Sequence, residues 1–415
     1  MQMHMQNKEN ERNNFYKDHT LIINELERSI KIYNWDFILS FLPAGSFLVG
    51  GYIRDIILGR MSVEVDVDIV VPSNAIDIGQ RISDKFKGKF IVLDKEREVV
   101  RIILNHISID IAKQISPTIE GDLKSRDFSI NAIAFLFDKN CLLDPLNGIK
   151  DIELSLLRTY STKNLLDDPL RMLRCFRFVS ELNFNIDEQL IYFIKKNREK
   201  ITLVAKERIN YEIQRIVKGI NAVESILLVK KFNIFGFETL YKDSFFIDLE
   251  GINYEQLSQS EKDEFLPLFF IVQILDEFSL EKFKFSKADI LKAKLLRKWH
   301  LILRKRNISQ LNELERFDLH QELEGILPSF IFYLPQNLRS DWLNRWRDKD
   351  DKLFHPTNLV NGDLIKKHLK IENGPLMGKL LYYLSKELAF NRLQNLDEAI
   401  YKAKRWIEQN APKCD

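Results

Sequence analysis

The chain contains no apolar run long enough to span a membrane, and its amino-terminal stretch, MQMHMQNKENERNN, has no apolar core of the kind a signal peptide needs. Cysteine is scarce: Cys141, Cys175 and Cys414 stand at no metal-like spacing. Neither a disulfide framework nor a structural metal site is expected, and a cytoplasmic, reducing compartment fits. The 7 histidines are scattered, with no His-Asp metal-hydrolase pattern in the C-terminal half, which argues against a second, phosphatase domain. Charge of one sign is also missing: 62 Lys and Arg against 60 Asp and Glu leave a net +2, which excludes a generally basic nucleic-acid coat. No segment is low-complexity or collagenous, and no internal repeat is visible.

What is present is a globular composition, 45% hydrophobic over 415 residues, too long for one compact core. The segment LIINELERSIKIYNWDFILSFL reads as one amphipathic helix stopped by Pro43 and Gly45. From residue 46 to 158 short β-branched runs recur: KFIVLD, EVVRIIL and ISIDIA read as strands. Beyond Thr162 the spacing becomes helical and strand signals fade. The fold class is α+β, a small mixed α/β head followed by an all-helical remainder. Two basic runs, Lys195 to Lys206 and Lys287 to Arg306, read equally as solvated helix faces or as a discontinuous phosphate-tracking stripe.

The most informative stretch is VEVDVDIVV. A strand alternates its side chains with period two, so Asp66 and Asp68 share one face while Val65, Val67 and Ile69 share the other. Two hard oxygen ligands side by side suit Mg²⁺, which binds through one or two carboxylates plus substrate phosphates. Upstream, SFLVGG reads as a buried strand breaking at Gly50 and Gly51, and YIRDIILG as a short helix closed by Gly59. The paired glycines let backbone approach a triphosphate, and Arg54 follows to neutralise it. Strand, Gly-Gly turn, short helix and acid-bearing strand in this order resemble the polymerase-beta-like nucleotidyltransferase superfamily. There a third carboxylate on a neighbouring strand commonly completes the site, and Asp110 in ISIDIA is in place for it. A solvent-facing Asp is the equal alternative.

Further along, Arg126 and Asp127 precede what reads as a helix carrying Ser129 and Asn131 at its start. The guanidinium suits triphosphate oxygens, and Asp127 and Asn131 suit ribose hydroxyls. In LLDDPLRMLRCFRFVSEL, Asp168, Arg171, Arg174 and Arg177 recur at three-residue steps along one side of a helix, with Leu170, Leu173, Phe176 and Phe178 towards the core. Three like charges in one stripe call for an anionic partner.

Taken in order, GGYIRD, DVDIVV, SRDFSINA, DPLNGIKDI, DDPLRMLRCFRF and KERINYEI resemble the motifs of the class II tRNA nucleotidyltransferase family, the CCA-adding enzymes and their bacterial poly(A) polymerase relatives. The strong resemblance runs from about Phe47 to about Lys218, with a weaker echo at Leu359 to Leu381. It implies a nucleotidyltransferase head at 46–158, a helical neck at 159–220, a body at 221–340 and an RNA-binding tail at 341–415, behind an arm and helix at 1–45. It implies a Mg²⁺-dependent transferase with two ions on Asp66 and Asp68, CTP and ATP as substrates, and tRNA as partner, with neither DNA nor membrane. Asp66, Asp68 and Asp110 would be catalytic. Gly50, Gly51, Arg54, Arg126, Asp127, Asn131, Arg174 and Arg177 would hold the nucleotide, with Asp168 and Arg171 reading its base. Glu207 and Arg208 would brace the base-reading helix. An accepting Asp beside a donating Arg matches the amine and ring nitrogen shared by cytosine and adenine, and leaves guanine and uracil with unpaired polar groups.

Three positions depart from the family pattern. Ser125 stands where a first arginine is usual, Asp167 replaces a glutamate, and the stretch from Asp110 to Arg126 is short. CCA-adding members carry a longer flexible loop there, and members that add only two cytidines often have it truncated. The expected activity is therefore untemplated addition of C, A or both to a tRNA 3′ end. CC-only addition is the specialisation the short loop favours, and poly(A) synthesis is an alternative. A non-catalytic RNA-binding protein on the same scaffold is the reading from another class, and transfer to a small molecule is a weaker one.

Overall fold

The structure, a computed structural model, describes residues 18–60, 64–235, 247–356, 360–369 and 374–410. The amino-terminal arm before residue 18 and Cys414 lie outside them. The chain divides into two compact units, Met1–Gly236 and Phe237–Asp415.

The first unit is built on a seven-stranded mixed sheet. Its strands are β1 (Phe47–Val49), β2 (Val65–Val71), β3 (Lys89–Asp94), β4 (Val99–Leu104), β5 (Ile107–Lys113), β6 (Ala134–Leu136) and β7 (Cys141–Leu143), in the order β3-β4-β5-β2-β1-β6-β7. Only β2 and β5 run parallel; all other neighbours are antiparallel. The alternation of β2 is real: Val65, Val67 and Ile69 are buried, whereas Asp66 is exposed and Asp68 half-buried.

Helix α1 (His19–Ile32) is shorter than its sequence pattern. Asn34 turns left-handed at φ 52°, and the rest of the expected helix becomes a 3₁₀ turn, Asp36–Phe41. Asparagine tolerates that conformation because its short amide hydrogen-bonds locally. Helix α2 (Gly51–Ile57) closes as expected on Gly59, at φ 65°. Helix α3 (Ala75–Phe86) lays Ala75, Ile78, Gly79, Ile82 and Ser83 against the sheet, and α4 (Ile119–Lys124) starts on the Thr118 cap. No helix follows Asp127. Ser129–Asn131 is a single 3₁₀ turn, after which the chain enters β6. Ala134 and Phe135 are fully buried there and Ala132 packs beside them, so tertiary pairing with β1 and β7 overrides the helical reading.

Helix α5 (Gly148–Glu153) is nucleated by Asp144, whose carboxylate accepts from the Gly148 and Ile149 amides at 2.6 and 2.9 Å. Then come α6 (Thr162–Asp167), α7 (Leu170–Leu182), α8 (Glu188–Asn197), α9 (Lys206–Lys218) and α10 (Ala222–Lys231). Both α9 and α10 pack on α7. In the second unit every described element is helical. Aromatic side chains dominate its first core, with Phe269, Phe317, Phe330, Phe332 and Phe354 fully buried. A separate aliphatic cluster joins Val360, Ile365, Met377, Leu380, Leu384 and Leu388 to Leu393, Ala399 and Ala403. No described helix is long and apolar enough to cross a membrane.

Candidate active site

The sheet register sets the acids. Parallel pairing places Asp66 opposite Ser108 and Asp68 opposite Asp110, while antiparallel pairing on the other side sets Val49, just before the Gly-Gly turn, against Asp68. Gly50 takes φ 83°, and a Cβ added to it would stand 2.7 Å from Asp68 Oδ2 and 3.0 Å from Arg126 Nη1. Glycine is thus required twice, by the left-handed backbone and by the carboxylate and guanidinium that crowd its α-carbon. Burial lifts the Asp68 carboxyl above its ordinary range; Arg126 opposes this, while Asp110 and Asp66 reinforce it.

Asp110, the third acid, does not stand free beside the pair. Arg101, its cross-strand partner on β4, holds it with two hydrogen bonds of 2.7 Å each, from Nε and Nη2. That arginine is a site residue the sequence reading passed over as an ordinary strand position. The same bonds, together with the fields of Asp66 and Asp68, hold the Arg101 guanidinium well above its usual range despite partial burial. Among the described residues no three His, Cys, Asp or Glu side chains converge on one metal position.

The donor set nonetheless fits a hard divalent ion. Two like-charged carboxylates on one face of β2, open towards a backbone cradle at Gly50, present the oxygen chemistry that such an ion completes with phosphate oxygens.

Around this edge lies a linked set of charges. Arg174 on α7 pairs with Asp127 at 2.8 Å; Asp127 accepts from Asn131 Nδ2 at 2.9 Å; Asn131 Oδ1 accepts from Arg54 Nη1 at 2.7 Å; and Arg54 forks onto Asp55 at 2.9 Å twice. Burial alone would raise Asp127, but Arg174, Asn131 and the Phe128 amide outweigh it and hold the carboxyl below its usual value. The predicted ribose readers therefore hold each other and two predicted phosphate arginines. Arg177 is buried against Glu212 at 3.1 Å, and burial and Arg174 push it down to about 10. Phe178, placed on the core side by its spacing, is fully buried and carries three guanidiniums around its ring, Arg54, Arg174 and Arg177 at 5.1, 5.8 and 4.6 Å.

A cavity of ≈ 760 Å³ is lined by Gly50, Gly51, Arg54, Asp66, Asp68, Arg126, Asp127, Asn131, Arg174 and Arg177, bringing together nearly all predicted nucleotide contacts. Asp168 and Arg171 do not line it. Asp168 pairs with Arg208 of α9 at 2.8 Å, as the bracing role of that helix requires, and Arg171 Nη1 donates to the carbonyls of Ser125 and Asn164. Glu207 makes no such contact with α7; the α9 acid that reaches the stripe is Glu212.

This sheet, with a Gly-Gly turn over paired acids, defines a nucleotidyltransferase head. Residues 46–158 match the family described as "Poly A polymerase head domain", and residues 183–237 the one described as "Probable RNA and SrmB- binding site of polymerase A". The chain is 29% identical over 394 residues to the CC-adding tRNA nucleotidyltransferase of Synechocystis sp., covering 88% of this chain and 94% of that one. It is 36% identical over 185 residues to the CC-adding tRNA nucleotidyltransferase of Geobacter sulfurreducens, covering 44% and 43%. Among solved structures, a CCA-adding enzyme in complex with ATP superposes with a TM-score of 0.70 at 19% identity over 94% of this chain and 98% of that one, a likeness of fold. Residues 46–158 are thus a poly(A) polymerase head domain, and over nearly its whole length the chain is similar to tRNA nucleotidyltransferases, which supports the class II nucleotidyltransferase family.

Proposed function

We propose that this protein extends the 3′ end of tRNA from CTP and ATP without a template, specialised for adding the two cytidines. The single observation that carries the reaction is the alternation of β2, which sets Asp66 and Asp68 on one face, with Asp68 in register with Asp110, at the edge of a cation-lined cavity. Asp66 and Asp68 would hold Mg²⁺. When bound, that metal supplies Lewis-acid polarisation of the phosphoryl oxygens and a more acidic attacking hydroxyl. Arg126, unpaired at its buried Nε, neutralises the triphosphate together with Arg54 and Arg174. Asp127 and Asn131 meet the ribose. Asp168 and Arg171, oriented by Arg208 and by the Ser125 carbonyl, read the base. Asp110 serves as the third acid while Arg101 holds its orientation.

The restriction to cytidine rests on the link between β5 and α4. It consists of Gln114 to Thr118 alone and is bonded at its start. Gln114 N–H donates to Val71, its amide donates to the Ser116 carbonyl, and the Ile115 N–H donates to Asp122 at 3.2 Å. A segment so short and bonded leaves no flexible loop to re-aim the site from CTP to ATP.

The test is sequencing of products from tRNA lacking its 3′ end, incubated with Mg²⁺, CTP and ATP. Products ending in CC are expected. Products ending in CCA would overturn the specialisation and keep the reaction. No extension of this tRNA, nor of one already ending in CC, would overturn the reaction.

A further inference from the structure

Asp66 and Asp68 border two cavities. The second, ≈ 560 Å³, lies on the Asp110 side and is walled by Arg101, Ser108 and Asp110 from the sheet and by Arg208, Tyr211 and Arg215 from α9. Its size falls within the roughly 300–1,000 Å³ typical of small-ligand sites. Transfer of a nucleotidyl group sets the attacking and leaving oxygens on opposite sides of one phosphorus, so the two substrates must reach the same acids by different approaches. With the Gly50 side suited to the triphosphate, the second cavity is left for the acceptor.

The side chains there match an RNA end. Arg101 spends Nε and Nη2 on Asp110, while its Nη1 edge, on a side chain 42% exposed, makes no hydrogen bond among the described residues. It can take a phosphate oxygen without releasing the acid. Tyr211 is 58% exposed, and its hydroxyl accepts from Arg215 Nη1 at 3.4 Å, which fixes the ring's attitude one helical turn away. An aromatic face holds any base, because every base has a π-surface. That tolerance is what an acceptor needs when its terminal base changes with each addition.

The geometry points to this cavity as the seat of the acceptor's 3′-terminal nucleotide, with Tyr211 under its base and Arg101 at its phosphate. The assignment rests on the reaction proposed above.

The test uses the full chain, without metal or nucleotide, and an acceptor-stem RNA hairpin carrying 2-aminopurine as its last base. Wild type and Tyr211→Phe quench the fluorophore on binding; Tyr211→Ala does not, and in the complete reaction its KM for RNA rises about tenfold with the KM for CTP within twofold of wild type. Arg101→Ala lowers the slope of log affinity against log salt by about 0.7 to 1, and Arg101→Lys restores it. Unchanged quenching and RNA KM in Tyr211→Ala, or a KM for CTP that rises in step with that for RNA, overturns the assignment. A wild-type protein that neither binds nor extends the hairpin overturns the underlying reaction instead.

Discussion

The two units handle charge in different ways. In the first, charged groups are drawn inward and linked in series, from Arg174 through Asp127 and Asn131 to Arg54 and Asp55. In the second, many meet as separate pairs near the surface, Lys298 with Glu322, Arg306 with Glu315, Arg347 with Glu261, beside one series through Lys386, Glu313, Arg392, Glu387 and Lys402. A two-body pair is a local matter, whereas removing one member of a series strands the next. The comparison also bears on the basic run from Lys287 to Arg306. Lys294, Lys298 and Arg306 are each matched by a nearby acid, and Lys287 and Lys292 remain exposed. Solvated, internally balanced faces account for much of that run.

The sharpest way to test the contrast is at the acid pair. Asp66→Ala or Asp68→Ala is expected to lower nucleotide incorporation at least about 10³-fold while tRNA binding, measured by filter retention, stays within about threefold. Near-normal turnover in either variant would remove the pair from the chemistry. Next comes the series itself. Asp127→Ala leaves the half-buried Arg174 without its ion-pair partner and Asn131 without its acceptor, at a cost of about 2 kcal/mol to unfolding of the first unit in urea. A loss below 1 kcal/mol would mean that the series is no more than a set of independent pairs.

The second unit responds instead to acid. His320 is buried between Trp342 and Phe354, and burial holds its imidazole down to about 3. Its folded-state pKa is depressed, so the stability it contributes is complete above pH 6.5 and falls with pH below it, as the unfolded chain takes up a proton the fold refuses. The slope is about 1.4 kcal/mol per pH unit, or about 2 kcal/mol between pH 6.5 and 5. Trp342 fluorescence during denaturation reads it, and His320→Leu should flatten the slope. A smaller effect is expected from Arg208→Ala, which releases Asp168. Discrimination of CTP over UTP should fall about tenfold in kcat/KM, with tRNA affinity changing less. Smallest is Lys298→Ala, a loss under about 1 kcal/mol that disappears in high salt; a larger, salt-insensitive loss would make this pair resemble the buried series.

Strands β3 to β5 were legible as short β-branched runs, and the acids on β2 because alternation fixes their face. Strand β6 was not: flanked by β1 and β7 and almost wholly buried, it offers no polar positions to mark its period. The helix read over residues 21–42 ignored a left-handed Asn34. Within the site, Arg54, Arg126 and Asp127 could be picked out by motif. Arg101 could not, since only register sets a residue of one strand opposite an acid of the next. Phe178 was assigned to the core by helical spacing. It is core, but the spacing could not reveal the guanidiniums that gather on it.

That ring has a kinetic consequence. Carboxylates gather arginines by cancelling their charge, whereas an aromatic face gathers them through its quadrupole and leaves the charge intact. Arg54, Arg174 and Arg177 each already face a carboxylate, Asp55, Asp127 and Glu212, so the ring adds attraction without cancelling the positive potential those pairs leave over. An anionic ligand would be steered by that residual field before contact, at a rate that falls as ionic strength rises.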